Sequence, residues 1–438
     1  MLKKLKKIFS QNIKRVKKNV IANTSEFSLN IIYQITLLPL MIFSWGAEIY
    51  GVWIFLLSIP SVLHTFNIDI NEGVTQELIL NKKKKYKYLN EFYSNSFVCS
   101  LFNCSIFFIL YSIIYYFFSS NFNVLQNFNN NNINLIISLI GLWFCIELFV
   151  KNINSGITIS GSLNIITYID IFFKYIPNLM IAFIGFYTQD LLYASFILIL
   201  FSITKLIVST VFLLKLTSLR FCISQINLTK IKLIYFKSKS YYMLNISNIT
   251  YHAGIKFIIG TFYNPEIITL YHSLNTLFRW SVSKITSIFL LLLNFEYANF
   301  FNKKKYSKIK ELFNFQLKLI FTILSGYSIF SFFFGEYLFN LWTFNNFDNY
   351  KSLLLVIVIE NIIFIISNTY LLLIRSINRF FKESVIDFGL SLSVYIIIFL
   401  LARHEFSLAF LIYPLIFRSL VLMIIYRNSV KKFFEIYK

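Results

Sequence analysis

SLLLVIVIENIIFIISNTYLLLI, Ser352 to Ile374, runs for 23 residues with a single charged side chain, Glu360. As a helix rising about 1.5 Å per residue, it spans the roughly 30 Å hydrocarbon core of a bilayer. It is too long and too continuously apolar for a membrane β-barrel strand, which shows about ten residues alternating apolar and polar. Comparable stretches recur on both sides. Residues 22–43, 50–78, 92–118, 133–152, 165–187 and 191–215 read as spans 1 to 6. Residues 241–262, 268–294, 311–335, 352–374, 384–401 and 407–426 read as spans 7 to 12. The second is long for one crossing, and its polar last part, 67–80, reads as extending into the cytoplasm.

Composition agrees. The 438 residues are 57% hydrophobic, mean hydropathy is +0.67, and only 5 prolines and 12 glycines interrupt the apolar stretches. A formal charge of +22 would suggest nucleic acid in a soluble protein, but this hydrophobicity excludes that class. The basic residues report topology instead. Of 41, 32 lie in segments 1–21, 79–91, 151–164, 215–240, 295–310, 375–383 and 427–438, whereas the opposite loops carry only Lys351 and Arg403. The positive-inside rule then places both termini in the cytoplasm and favours an even number of spans. No cleavable signal peptide is read at the start. Residues 1–21 interleave lysines with Leu2, Leu5, Ile8, Phe9, Ile13, Val16 and Val20. Two readings stay open: a helix lying on an anionic leaflet, or a solvated basic leader. The Asn-rich outer loop 126–134 reads as flexible.

The halves repeat weakly. Trp45-Gly46-Ala47-Glu48-Ile49 after span 1 matches Tyr263-Asn264-Pro265-Glu266-Ile267 after span 7, and lysine runs at 82–85 and 303–305 precede spans 3 and 9. Six spans per repeat keep both halves in one orientation, which implies parallel repeats. The predicted layout is an all-α membrane protein with an N-lobe at 22–215, an inter-lobe linker at 216–240, a C-lobe at 241–426 and a basic tail at 427–438.

The stretch Pro39-Leu40-Met41-Ile42-Phe43-Ser44-Trp45-Gly46-Ala47-Glu48-Ile49-Tyr50-Gly51-Val52-Trp53 resembles bacterial polysaccharide flippases of the O-antigen type. They belong to the multidrug, oligosaccharidyl-lipid and polysaccharide exporter superfamily. Gly46, Glu48, Tyr50, Gly51 and Trp53 match its turn after the first helix; Asp69-Ile70-Asn71 lacks the glycine of its later Asp-x-Gly element. The resemblance implies two six-helix lobes around a central cavity. It implies movement of a lipid-linked oligosaccharide, typically on undecaprenyl pyrophosphate, from the inner to the outer leaflet by alternating access, often coupled to a cation gradient. It further implies residence in the bacterial inner membrane, with membrane lipids, a polysaccharide polymerase and other assembly proteins as partners, and no nucleic acid.

Seven basic residues fall inside spans: Lys174, Lys205, Lys256, Arg279, Lys284, Lys318 and Arg418. A charge at mid-bilayer costs about 2.5–3.5 kcal/mol on insertion scales, so such residues face protein or water. A pyrophosphate path needs fixed positive charge that can also donate hydrogen bonds. On depth, Arg279 leads as a head-group contact, followed by Lys284, Lys256 and Lys174. Lys318 and Arg418 lie near cytoplasmic ends, where they can snorkel, and Lys205 stays undecided. Asp170 and Lys174, spaced i, i+4, are expected to pair. Glu360, Asp170, Glu26 and Glu147 are the candidates for coupling to a cation, since burial can hold a proton on a carboxylate. Asp69, Glu72 and Glu77 read as gating or packing groups at the cytoplasmic mouth, and Glu48 and Glu266 as turn or cap residues.

His64, His252, His272 and His404 read as lone satisfied residues. Neither they nor Cys99, Cys104, Cys145 and Cys222 show metal-ligand spacing. No metal, cofactor or ATP-driven step is expected, nor an enzyme. A drug or peptidoglycan-precursor exporter and a membrane assembly factor remain as alternatives. Short outer loops with at most one basic residue each weigh against a polymerase or ligase.

Overall fold

The computed structural model describes residues 2–63, 71, 74–75, 78, 86–118, 132–286, 293, 297, 300–301, 303–376 and 380–437. Expectations for His64, for Asp69, Glu72 and Glu77, for loop residues 126–131 and for the lysine run 82–85 lie outside them, as do the side chains of 1–21.

The chain is all-helical. Helices α1 (Leu2–Leu63), α2 (Tyr86–Phe118), α3 (Ile133–Thr158), α4 (Leu163–Gly185) and α5 (Leu191–Leu216) form the first half, with α1 carrying span 1 and the described start of span 2. Span 7 is a continuous rod: α6 (Leu228–Ile249), a π-helical segment at Thr250–Gly254, and α7 (Ile255–Phe262). Span 8 begins with α8 (Pro265–Leu274), passes through a second π-helical segment at Asn275–Trp280 and remains helical over 281–286. Helices α9 (Tyr306–Trp342), α10 (Lys351–Ser376), α11 (Phe381–Arg403) and α12 (Leu408–Ile436) complete the chain. Each of the twelve predicted spans falls on helix where it is described, apart from Phe186, Tyr187 and Ser407 at span ends, and among the described residues nine helices are long and apolar enough to cross a membrane. This is a multi-pass membrane protein. Helices suit that solvent because each satisfies its own backbone hydrogen bonds.

The chain divides into two compact units, residues 1–245 and 246–438. In the first, α3 packs on α5 and α1 on α4; in the second, α10 packs on α12, and α11 on α12 and α7. The motif positions that repeat both interrupt helices. Gly46 adopts φ 76°, ψ 163°, which breaks α1, and Tyr263 is extended between α7 and α8. Pro265 then occupies the first turn of α8, where its missing N–H costs nothing, and Glu266 beside it complements the helix dipole. The first break is fixed by Trp45. Its indole Nε1 donates to the Ile181 carbonyl at 3.1 Å and lies where a Cβ on Gly185 would stand.

The segment after α5 is held on α2. Asn90, Ser94 and Asn95 accept from the backbone N–H groups of Arg220 (2.6 Å), Cys222 (3.1 Å) and Asn227 (2.7 Å). These side chains take up the donors that a non-helical stretch leaves unpaired. Leu219 and Ile234 bury beneath, against Leu89, Phe92 and Tyr93.

Gly46 and Gly326 separate backbone strain from crowding, because an added Cβ meets nothing within 4 Å at either. Gly46→Ala is expected to cost about 1–3 kcal/mol, since only glycine tolerates its dihedrals, whereas Gly326→Ala in the helix interior gains about 0.5–1 kcal/mol. Unfolding temperatures of the two variants in detergent check the opposite signs.

Candidate functional site

In the second unit, four helices converge on the Glu360 carboxylate, which is 1% exposed. Arg279 Nη2 stands 3.0 Å from Oε2. The Tyr251 hydroxyl donates to Oε1 by a short hydrogen bond, and Ser419 Oγ donates to the same oxygen at 3.0 Å. The Arg279 guanidinium stacks 3.6 Å from the Tyr251 ring centre, and Arg418 lies 5.0 Å from that ring. Arg418 has its own partners: Asp387 Oδ1 at 2.5 Å and Ser391 Oγ at 2.9 Å. Tyr426 donates to the other Asp387 oxygen at 3.2 Å. Two arginines and two carboxylates thus neutralise each other around one phenol.

Tyr251 and Arg279 each sit in a π-helical segment. Such a turn disturbs the regular ladder, and the freed carbonyls need new donors. Phe278 O accepts from Tyr327 Oη at 3.0 Å and Asn361 Nδ2 at 3.3 Å, while Thr276 O accepts from Ser281 Oγ at 3.1 Å. Asn275 accepts from Arg279 Nη1 at 3.2 Å. Gly254 lets the Tyr395 ring approach where a Cβ would lie 2.7 Å from it.

Three further basic side chains lie on spans 7 and 8. His252 and Lys284 are exposed and Lys256 is half-buried. Lys256, Lys284 and Arg418 lie close enough to His252 to act on its charge, and Lys256 also acts on His272. Among the described residues Lys256 has no carboxylate partner. The Lys284 ammonium lies 5.4 Å from the Trp280 ring centre. The arrangement can hold an anion: two ammonium groups, with an imidazole one helical turn before Lys256.

The first unit is different. Lys205 on α5 reaches both Glu147 of α3 at 2.9 Å and Asp170 of α4 at 3.2 Å. Asp170 therefore does not pair with Lys174, as the i, i+4 spacing suggests. One ammonium between two carboxylates on neighbouring helices outweighs a local pair, and Lys174 instead donates to Asn30 Oδ1 at 2.6 Å. Glu26 is half-buried, with its carbonyl 3.4 Å from the Tyr175 hydroxyl.

The structure thus places Lys256 and Lys284 each within electrostatic reach of His252 and draws Arg279 onto Glu360. It leaves Lys174, Asp170, Glu147 and Glu26 in the other unit. Arg418 corrects the snorkelling expectation: it is 3% exposed, because Asp387 on α11 offers a partner nearer than the interface. Lys318 is exposed. His252 and His272 were not legible as a group with the lysines. His252 and Lys256 share an i, i+4 spacing, but only the fold sets Lys284 within electrostatic reach of His252 and His272 within reach of Lys256. Among the described residues, no group of three or more His, Cys, Asp or Glu side chains is placed to hold a metal.

No protein-family model and no curated protein sequence matches the chain. Solved structures do. The chain is similar to a MATE multidrug transporter, DinF-BH, solved as a ligand complex, with 14% identity, TM-score 0.66, and 96% of this chain and 95% of that one covered. An outward-facing multidrug resistance MATE transporter of the MOP superfamily aligns at 12% identity and TM-score 0.61, over 97% and 96%. A MOP superfamily transporter from Pyrococcus furiosus, described as having a binding pocket of reverse polarity, aligns at 12% and 0.56, over 97% and 96%. The protein is an integral membrane protein with the fold of the MATE transporters. At these identities the likeness is one of fold.

The Arg279–Glu360 pair can be tested by a double-mutant cycle. Arg279→Met or Glu360→Leu alone leaves one buried charge and is expected to lose about 3–5 kcal/mol. The double variant should lose markedly less than the sum, read from unfolding in detergent. Additive losses would show that the two side chains do not interact.

Proposed function

We propose that the chain is a transporter that moves a lipid-linked oligosaccharide, of the undecaprenyl-pyrophosphate type, from the inner to the outer leaflet for surface polysaccharide assembly. The observation that carries this reading is that Lys256 and Lys284 both lie within electrostatic reach of His252, and that Lys256 meets no carboxylate among the described residues. A pyrophosphate brings negative charge and several acceptor oxygens, and ammonium groups supply both the charge and the donors. A cationic drug would instead favour a carboxylate-lined surface. The fold supports a transporter, since the similar solved structures are described as transporters. The reverse-polarity pocket of the Pyrococcus furiosus protein suits the view that this fold admits cargoes of different charge.

In the proposed cycle, Lys256 and Lys284 hold the head group while Arg279 stays neutralised inside the unit. Glu360 is the coupling carboxylate. Gaining a proton would cancel its attraction for Arg279 and free the Tyr251 and Ser419 hydroxyls, loosening α10 and α12 from the two π-helical segments. That gives alternating access a discrete two-state element rather than a gradual deformation. Glu147, Asp170 and Glu26 are secondary candidates, the first two because Lys205 neutralises only one of their two charges. The 32 basic residues of alternate segments support a cytoplasmic-membrane protein with both termini inside. The description of DinF-BH as a multidrug transporter favours the second reading, a drug exporter.

Liposomes carrying the protein and a fluorescent undecaprenyl-pyrophosphate oligosaccharide separate these readings. Protein-dependent appearance of the label in the opposite leaflet is expected. Lys256→Ala with Lys284→Ala should slow it about tenfold or more, and Lys256→Arg with Lys284→Arg should restore most of it. Absence of protein-dependent movement of any such lipid would reject the proposal.

A further inference from the structure

The turn between α9 and α10 encloses an open polar recess of about 510 Å³, within the size range of small-ligand sites. Its lining includes Glu336 and Asn340 from α9, Asn345, Asp348 and Asn349 from the turn, and Tyr350 beside α10. Helix α9 has 37 residues, about 55 Å at 1.5 Å each, well beyond the hydrocarbon thickness. The recess stands at its far end from Lys303, Lys304 and Lys305.

The turn is built rather than loose. Tyr350 donates to Asn340 Oδ1 by a short hydrogen bond, and its ring lies 4.5 Å from that of Phe339. Asn345 N donates to Asn340 O at 2.9 Å. Burial and the nearby Glu336 hold the Tyr350 phenol above its ordinary range, so it remains a donor at neutral pH. Phe344, Asn345 and Asn349 adopt φ of 56°, 57° and 54°. Within this frame the amides of Asn345 and Asn349 and the carboxylate of Asp348 are exposed and make no hydrogen bond with the described residues.

This set of groups selects a ligand class. Lys351 already neutralises Glu336 at 2.8 Å, which leaves one free carboxylate, fewer than a hard cation recruits. Two free amides and one carboxylate, against a wall holding Phe347 and Tyr350, offer donors and acceptors in alternation. Vicinal hydroxyl groups need that alternation. We infer that the recess between α9 and α10 is a carbohydrate-binding site that takes two or three sugar units through Asn345, Asn349 and Asp348. The inference rests on the recess itself and is independent of transport through the Lys256 group.

Saturation-transfer NMR on the purified full-length protein in detergent tests it. The probes are free trisaccharides built of hexoses, N-acetylhexosamines or uronic acids. Transfer to at least one probe is expected. Asn345→Gly with Asn349→Gly removes both amides yet keeps the positive φ, so binding should weaken about tenfold or more at an unchanged unfolding temperature. No transfer to any probe, or undiminished binding in the double variant, would overturn the assignment, and terbium luminescence quenched only in Asp348→Asn would assign the recess to a cation instead. Flipping of lipid-linked oligosaccharide is scored separately, so either idea can fail alone.

Discussion

A carboxylate in an apolar span must find its partners within the protein, and Glu360 finds them on three other helical segments. Leaving one member of such a pair alone costs far more than the pair itself contributes. The second unit is therefore organised around the need to bring Arg279, Tyr251 and Ser419 to one point. The π-helical turns in spans 7 and 8 carry two of those side chains, and Asn361 and Tyr327 cover the Phe278 carbonyl there. Arg418 and Asp387 extend the same logic to α11 and α12. The result is a neutral interior built from charged groups, with Tyr251 shared between both arginines.

This neutrality gives the remaining cations their significance. Because Arg279 and Arg418 are paired with carboxylates inside, Lys256 and Lys284 are the cations of the second unit proposed to meet a ligand. In the first unit the balance is reversed, for Lys205 stands between two carboxylates. The two units thus differ in charge: Lys256 and Lys284 lie in the second, and the first carries one carboxylate in excess of Lys205 at that cluster. The asparagine row of α2, which fastens the chain after α5, keeps that segment part of the first unit.

Much of the fold was legible in the residues. Apolar length located the helices, and the alternation of lysine-rich segments set their number. The repeat around Trp45 and Tyr263 marked the two places where helices break. The site was legible only in part. Arg279 and Glu360 were each selected by depth, yet 81 positions separate them, and nothing in periodicity tells which face of one helix meets another. Depth alone misjudged Arg418, because distance to the interface matters less than a carboxylate on the adjacent helix. The i, i+4 rule misjudged Asp170, because a buried ammonium on another helix competes better than an exposed neighbour. The π-helical turns left no signal in the pattern, since Thr250–Gly254 and Asn275–Trp280 are ordinary helical sequences whose geometry is imposed by packing.

Lys256 and Lys284 of the second unit are proposed to take an anion. Native mass spectrometry of the full-length protein, offered an equimolar mixture of undecaprenyl pyrophosphate, phosphatidylethanolamine and a cationic dye, measures this directly. Preferential retention of the pyrophosphate lipid, lost when Lys256 and Lys284 are both alanine, is the result predicted. Preferential retention of the dye, or pyrophosphate retention indifferent to the two lysines, would contradict it.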